Sequence, residues 1–132
     1  MSRLVNFGLG EIADRLTILG LKVAYGTEQG ADVEHFRNER NALLVKIRAA
    51  GAGDGRWMES LLELAAVNAR IWQGEDELRW YRFELEHAYG PKDLEEIRLL
   101  AFKLQALNDR RAELIADINA SVGEVVREKL PT

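Results

Sequence analysis

The sequence carries one run in which an amide, a carboxylate and two guanidinium groups stand side by side, Leu107-Asn-Asp-Arg-Arg-Ala112. A guanidinium binds a carboxylate or a phosphate through two parallel hydrogen bonds, so Arg111 is a candidate ligand for an anion. Arg79 is a second candidate of the same kind. One interpretation of these residues is a binding site for an anionic small molecule, for example a sugar phosphate or a nucleotide.

A second polar run lies between Asn68 and Asp76. Glu75 and Asp76 are adjacent carboxylates of the type that positions a substrate or exchanges protons with it. Trp72 would form an apolar wall of such a pocket. The two runs can form one binding site only if the fold brings them together.

Hydrophobic spacing places the first run on a long helix, from about Leu94 to Val125. Steps of three and four residues trace a buried face along it, formed by Leu94, Ile97, Ala101, Leu104, Asn108, Arg111, Ile115, Ile118, Val122 and Val125. Burying Asn108 and Arg111 in that face is unfavourable unless both side chains are fully paired. Another element must therefore supply their partners.

The second run belongs to a preceding helix, from about Trp57 to Tyr89, whose middle is also polar. Its predicted buried face consists of Trp57, Leu61, Leu64, Asn68, Ile71, Glu75, Leu78, Arg82, Leu85 and Tyr89. Gly90-Pro91 ends this helix and begins the next, because proline disfavours helix in the residue before it and suits a first turn. In the resulting antiparallel hairpin, Asn68 lies level with Arg111.

Two shorter helices precede the hairpin, from about Leu9 to Tyr25 and from about Asp32 to Ala50, with breaks at 26–30 and 51–55. We expect Gly20 to let another backbone come close and Gly74 to interrupt its helix. The predicted fold is all-α, a single domain over residues 1–132, built as a bundle of about four helices with a long antiparallel hairpin of helices three and four.

The candidate site is a mid-bundle polar cluster to which the first helix would add three residues. Its members are Glu11, Asp14, Lys22, Asn68, Trp72, Glu75, Asp76, Arg79, Asn108, Asp109 and Arg111. Two interpretations stay open: an internally satisfied network that fixes helix register, or a pocket for an anionic ligand. No catalytic residue is assigned, and whether the protein is an enzyme stays open.

A metal centre is disfavoured by the spacing of its candidate ligands. Bundle metal sites combine carboxylates with Glu-x-x-His pairs, whereas His35 and His87 stand away from the acidic residues. Glu11-x-x-Asp14 together with Glu75-Asp76 could hold Mg²⁺, but the paired spacing of helical nucleotide pyrophosphohydrolases is not reproduced. We expect no metal and no cofactor.

The overall charge and hydropathy of the chain limit the kinds of partner that it could bind. A net charge of −4 and a pI near 5.3 argue against nucleic acid and against an anionic membrane surface. Uncharged runs stay well below the ~18 residues of a membrane span, so no membrane insertion is expected. With no secretory signal in sight, the expected location is cytoplasmic.

Helix lengths predict a homodimer. At ~1.5 Å per residue the long helices reach roughly 45 to 55 Å, and the first helix covers roughly 25 Å. An apolar patch of Trp57, Leu61, Val122 and Val125 would remain at the open end. A second copy of the chain is the simplest cover for it.

Several motifs together resemble a family of small bacterial helical proteins of unknown function. They are Gly10-Glu-Ile-Ala-Asp-Arg-Leu-Thr-Ile-Leu19, Val67-Asn-x-x-Ile-Trp72, Glu75-Asp76, the run 107–112 and Ile118-Asn119. The resemblance spans nearly the whole chain and departs at Gly20, where members have an acidic residue. It implies a helical fold and a place near genes for glycosyltransferases and cell-surface polysaccharide synthesis. The expected function is a dimeric interaction or accessory module in envelope-glycan metabolism, with a protein partner or an anionic small molecule as ligand.

A thinner likeness is to three-helix chorismate mutases, which hold a dicarboxylate inside a dimeric bundle. Arg15, Lys22, Gln105 and Arg111 would take the binding roles in that case. The Asn-Asp-Arg-Arg motif is not part of that family's pattern.

Overall fold

The computed structural model describes residues 8–50, 57–84 and 90–128, and nearly all of them are helical. Helix α1 spans Leu9–Glu28, α2 Glu34–Ala50, α3 Trp57–Glu84 and α4 Pro91–Glu128. No strand occurs within these ranges. The predicted all-α fold of four helices is confirmed, and α3 and α4 form the most extensive helix pair.

A Schellman motif ends α1 and turns the chain into α2. The Ala31 amide donates to the Gly26 carbonyl at 2.8 Å, and the Gly30 amide donates to the Thr27 carbonyl at 3.0 Å. Gly30 has a φ of +75°, a left-handed conformation that glycine adopts without steric penalty. Asp32 then accepts the amide of Glu34 at 3.0 Å, which satisfies one free donor of the first turn of α2.

The hairpin starts α4 as the sequence indicates. Pro91 is its first residue, and Asp93 accepts the Gly90 amide at 3.1 Å. The predicted last turn of α3, residues 85–89, lies outside the described residues.

Gly74 does not interrupt α3, so that prediction is wrong. The helix runs through it, and a Cβ built at this buried glycine would lie only 2.6 Å from Cδ2 of Leu104. The missing side chain lets Leu104 of α4 pack directly on the backbone of α3. The cost of glycine in a helix is therefore offset by a closer helix contact.

The core lies where α1, α3 and α4 meet. Its buried members are Leu9, Ala13, Leu64, Val67, Ile71, Leu100, Leu104, Leu114 and Ile118. On α4 this row is rotated from the predicted one: Ala101 and Asn108 are exposed, and Leu94 keeps 55% of its accessible surface. Leu100 and Leu114 are buried instead, because α4 packs against two helices and turns its larger apolar side chains toward both.

The predicted row of α3 is correct over its first part, because Leu64, Asn68 and Ile71 are buried. It is wrong at Glu75 and Arg82, which are exposed, and Gly74 is buried in place of Glu75. One residue along a helix is a rotation of about 100°, so the polar residue next to the buried glycine points away from the core.

Helix α1 packs against both hairpin helices, and α2 packs mainly on α1. Leu9, at the start of α1, lies in the core, and Trp57 and Leu61 are half-buried against that core. The prediction that these two form an exposed end patch is therefore wrong. At Val122 and Val125 the structure describes the helical backbone alone, so the part of the patch assigned to these two residues stays a prediction.

Gly20 is not a point of close helix approach. It is exposed, and a Cβ added to it would meet nothing within 4 Å. Helix α2 turns Phe36, Arg40, Leu43 and Ile47 inward, and all four are half-buried. In the described ranges, none of the helices combines the length and apolar character needed to cross a membrane.

Candidate functional site

The carboxylate of Asp14 is the centre of the polar interior. Asp14 lies on α1 and only 7% of its surface is accessible. Arg111 of α4 donates to it twice, from Nε to Oδ1 at 2.9 Å and from Nη2 to Oδ2 at 2.5 Å. This two-point geometry is the strongest form of a guanidinium–carboxylate contact.

Asn68 of α3 completes the arrangement and is only 4% accessible. Its Nδ2 donates to Oδ1 of Asp14 at 2.9 Å and to Oγ1 of Thr17 at 2.6 Å. The Thr17 hydroxyl donates in turn to the Asp14 carbonyl at 2.8 Å. We call Asp14, Thr17, Asn68 and Arg111 the Asp14 cluster, and it joins three helices at one point.

Asp14 raises the pKa of Arg111, first through its hydrogen bonds and then through its negative charge, with a smaller contribution from the charge of Glu75. Partial burial opposes this shift by disfavouring the charged guanidinium. The arginine therefore stays protonated, and its nitrogens Nε and Nη2 are already committed to a carboxylate of the same chain. Throughout the described residues, every buried side-chain nitrogen or oxygen has a hydrogen-bond partner.

A second cluster caps the start of α1. The Gly10 amide donates to Oδ1 of Asn119 at 2.7 Å, and Nδ2 of Asn119 donates to Oε1 of Glu11 at 3.0 Å. The same Oε1 accepts the Gly8 amide at 3.1 Å. We call Gly8, Gly10, Glu11 and Asn119 the α1 cap. It satisfies amides that the first turn of any helix leaves unpaired.

The α1 cap lies beside Gly10, a glycine to which the sequence alone assigned no structural role. A Cβ at Gly10 would lie 2.3 Å from the carbonyl oxygen of Ile115, so α1 and α4 touch backbone to backbone here. Asn119 was not among the candidate site residues. The available signal was its position eight residues after Arg111, which puts both on one face of α4, as Glu11 and Asp14 share a face of α1.

Trp72 and Lys22 take part in aromatic contacts instead of the Asp14 cluster. The Trp72 ring stacks on Tyr25 of α1 with centroids 5.6 Å apart and planes inclined by 19°. The ammonium of Lys22 lies 5.1 Å from the centre of the Phe36 ring. The first contact joins α1 to α3 by ring stacking, and the second joins α1 to α2 by a cation over an aromatic face.

The remaining candidates lie on the surface, so the eleven predicted residues do not converge in one buried cluster. Arg79 donates to Asp76 at 2.8 Å on its own helix, and each of the two side chains is 60% accessible. Asn108 donates to the carbonyl of Leu104 at 3.1 Å. Asn108, Glu75 and Asp109 are all exposed, because each stands one or two positions off the face that packs.

The arrangement fits neither of the two alternative chemistries. Glu11 and Asp14 belong to different clusters, and the acidic pair of α3 is exposed, so the four carboxylates of the Mg²⁺ hypothesis do not converge. Within the described ranges no group of three or more histidine, aspartate or glutamate side chains could hold a metal ion. Gln105 is exposed, so the set of residues required by the mutase likeness does not assemble.

Two further arginines make two-point contacts between helices at the surface. Arg110 binds Glu63 of α3 at 2.7 and 2.8 Å, and Arg15 binds Glu39 of α2 at 2.8 and 2.9 Å. In each pair the arginine lowers the pKa of the glutamate, chiefly through the hydrogen bonds. The first contact joins α4 to α3, and the second joins α1 to α2.

The chain matches no protein-family model, and no curated protein or solved structure is detectably similar to it. The motif resemblance to the bacterial family therefore stays a prediction.

Proposed function

We propose that this chain is a non-enzymatic helical interaction module that pairs with a second copy of itself. The observation that carries the proposal is the contact between Asp14 and Arg111. The group best suited to bind an external anion already binds an internal one at two points.

An anionic ligand at Arg111 would have to displace Asp14. That would leave a carboxylate at 7% accessibility without its charge partner, which is strongly unfavourable. The other residues of the ligand-binding alternative do not compensate, since Asp76 is paired with Arg79 at the surface and Glu75 is exposed. The Asp14 cluster thus fits a structural role, holding three helices in register.

Exposed apolar side chains support an interaction role. Among the residues whose side chains the structure describes, eight large apolar ones are exposed: Leu44, Val45, Met58, Leu62, Trp80, Leu94, Leu99 and Phe102. At ~1.5 Å per residue, the 20 residues of α1 cover about 30 Å of an α4 that is about 57 Å long. A hairpin that extends past its covering helix offers apolar surface to another protein chain.

The motif resemblance supports a place for this module in bacterial envelope-glycan metabolism, and the proposed location is the cytoplasm. A net charge of −4 fits protein partners better than nucleic acid or an anionic membrane surface.

A thermal-shift screen tests the proposal against its rival. It uses nucleotides, nucleotide sugars, sugar phosphates and dicarboxylates, each with and without Mg²⁺. A ligand at ~100 times its dissociation constant stabilises the folded state by about 2.7 kcal/mol, a readily measured rise in melting temperature. We expect no rise for any class. A rise that disappears in Arg111→Leu, measured relative to that variant's own melting point, would overturn the proposal in favour of an anion-binding site.

A further inference from the structure

One face of α3 is apolar over its first three turns and points away from the core. Met58 and Leu62 lie on this face with 47% and 68% of their surface accessible. Ala65, Ala66 and Ala69 continue it at helical spacing, and none of the three is buried. We call these five residues the α3 stripe. Leu64, Val67, Asn68 and Ile71, which face α1 and α4, are buried on another side of the same helix.

From these features we infer that the α3 stripe is the self-association surface, and that two copies of α3 pair antiparallel across a two-fold axis. The inference rests on the proposed self-association and assigns it a face. The occupant is a second copy of this chain because the stripe is complementary to itself in shape and in flanking charge.

The shape argument concerns large and small side chains. With the two-fold axis near residues 63–64, Leu62 of one copy lies level with Ala65 of the second. Met58 then lies level with Ala69 of the second copy. Each large side chain thus meets a small one, which lets the helices approach to about 8 Å, the close end of helix packing. The symmetry repeats both contacts.

The charge argument concerns one edge of the stripe. Glu59 and Arg70 are exposed and eleven residues apart, about three turns, so they lie along the same edge of α3. An antiparallel pair about this axis keeps like edges together and places Glu59 within about two residues of the level of Arg70 in the second copy. The symmetric dimer therefore contains this ion pair twice. A parallel pair would instead place the two Glu59 side chains at the same level but on opposite edges, and Glu59 and Arg70 of different copies about three turns apart, so this ion pair would not form.

A single helix pair of this length buries an area at the small end of specific interfaces, which implies a weak dimer whose population depends on concentration. The experiment is sedimentation equilibrium on the full chain over a wide range of protein concentration. Leu62→Glu, at an exposed helical position that glutamate suits, should raise the dissociation constant of the dimer by roughly tenfold or more. Leu99→Glu is the matched control, since Leu99 is 55% accessible on α4, and it should leave the dissociation constant unchanged.

Charge reversal gives a second readout that loss of apolar surface cannot mimic. Glu59→Arg alone and Arg70→Glu alone should each weaken the dimer, because each opposes like charges twice. The double variant should restore it, since the pairs re-form with reversed sign. Circular dichroism checks that every variant keeps its helix content.

Each outcome decides a different point. A dimer unaffected by Leu62→Glu overturns the α3 stripe as the interface while leaving self-association standing. A double charge variant no tighter than the singles overturns the antiparallel pairing. A wild-type chain that stays monomeric throughout overturns both this inference and the proposed homodimer.

Discussion

Asp14 of α1 and Arg111 of α4 are 97 residues apart in sequence and meet at two hydrogen bonds, with Asn68 of α3 donating to the same carboxylate. The contact is more than a pair of charges, because it fixes the angular position of three helices at once. The first prediction concerns its removal.

Arg111→Leu should lower the free energy of unfolding by about 2–4 kcal/mol, because it leaves the buried carboxylate of Asp14 without a counter-charge. Asp14→Leu together with Arg111→Leu should cost much less than the sum of the two single changes, since neither charge is then left alone. Urea denaturation of the wild type, the two single variants and the double variant gives the four free energies of unfolding of a double-mutant cycle. Additive effects would show that the two residues do not stabilise each other.

Two glycines of α1 should respond in opposite directions to alanine. Gly20→Ala should raise the free energy of unfolding by about 0.5–1 kcal/mol, because the position is helical and open and alanine is the better helix former. Gly10→Ala should lower it by about 1–3 kcal/mol, because the new Cβ would collide with the Ile115 carbonyl. Thermal melts of both variants check the pair. A stabilised Gly10→Ala would contradict the close approach of α1 and α4.

Acid should remove the contribution of the contact between Glu63 and Arg110. Arg110 holds the pKa of Glu63 below its usual value. The resulting stability is therefore complete above the usual glutamate pKa and is lost as pH falls through the lowered one. Glu63→Gln should be less stable than the wild type at neutral pH, and the difference should disappear once the pH has fallen below the lowered pKa of Glu63. Glu77→Gln, on the exposed surface of the same helix, is the control. A gap between wild type and Glu63→Gln that persists in acid would show that the ion pair is not its source.

Alkali should reveal the hydrogen bond between Tyr81 and Glu96. Glu96 accepts the phenol hydrogen bond and, with its charge, raises the pKa of Tyr81 to about 12. The contribution to stability is complete below the usual tyrosine pKa of about 10 and is lost as pH rises through the raised value. Ultraviolet titration of tyrosinate should show a late phase that is absent in Tyr81→Phe and moves toward pH ~10 in Glu96→Gln. An unchanged late phase in Glu96→Gln would rule out this carboxylate as the cause.

Helix count, hairpin and register follow from the sequence, because apolar spacing and the Gly90-Pro91 break are local signals. The sequence also predicts that Asn68 and Arg111 lie level with each other. In an antiparallel hairpin, residues equally far from the turn lie side by side. The rotation of α4 does not follow. Leu100 and Ala101 both satisfy a three-and-four pattern, and only the presence of two neighbouring helices decides that the leucine is buried.

The roles of the glycines could not be predicted for the same reason. Gly10, Gly20 and Gly74 look alike in a helical pattern, yet what lies opposite each one is a carbonyl, open space and a leucine side chain. The identity of the opposing atoms is a property of the assembled bundle. The candidate site was assembled from polar residues predicted to lie at a similar height in the bundle. It therefore included surface residues such as Asp76 and missed Asn119.

The α1 cap has a consequence for the order in which the chain folds. Its bond between Gly10 and Asn119 spans 109 residues, so nearly the whole chain must be looped before it can form. The hairpin of α3 and α4 needs a much shorter loop, and we expect it to assemble first, with α1 docking afterwards. Asn119→Ala should then mainly speed unfolding, while Leu104→Ala in the hairpin should slow folding, a difference that the two arms of a chevron plot separate. The contacts of the first turn of α1 would then form last during folding and break first during unfolding.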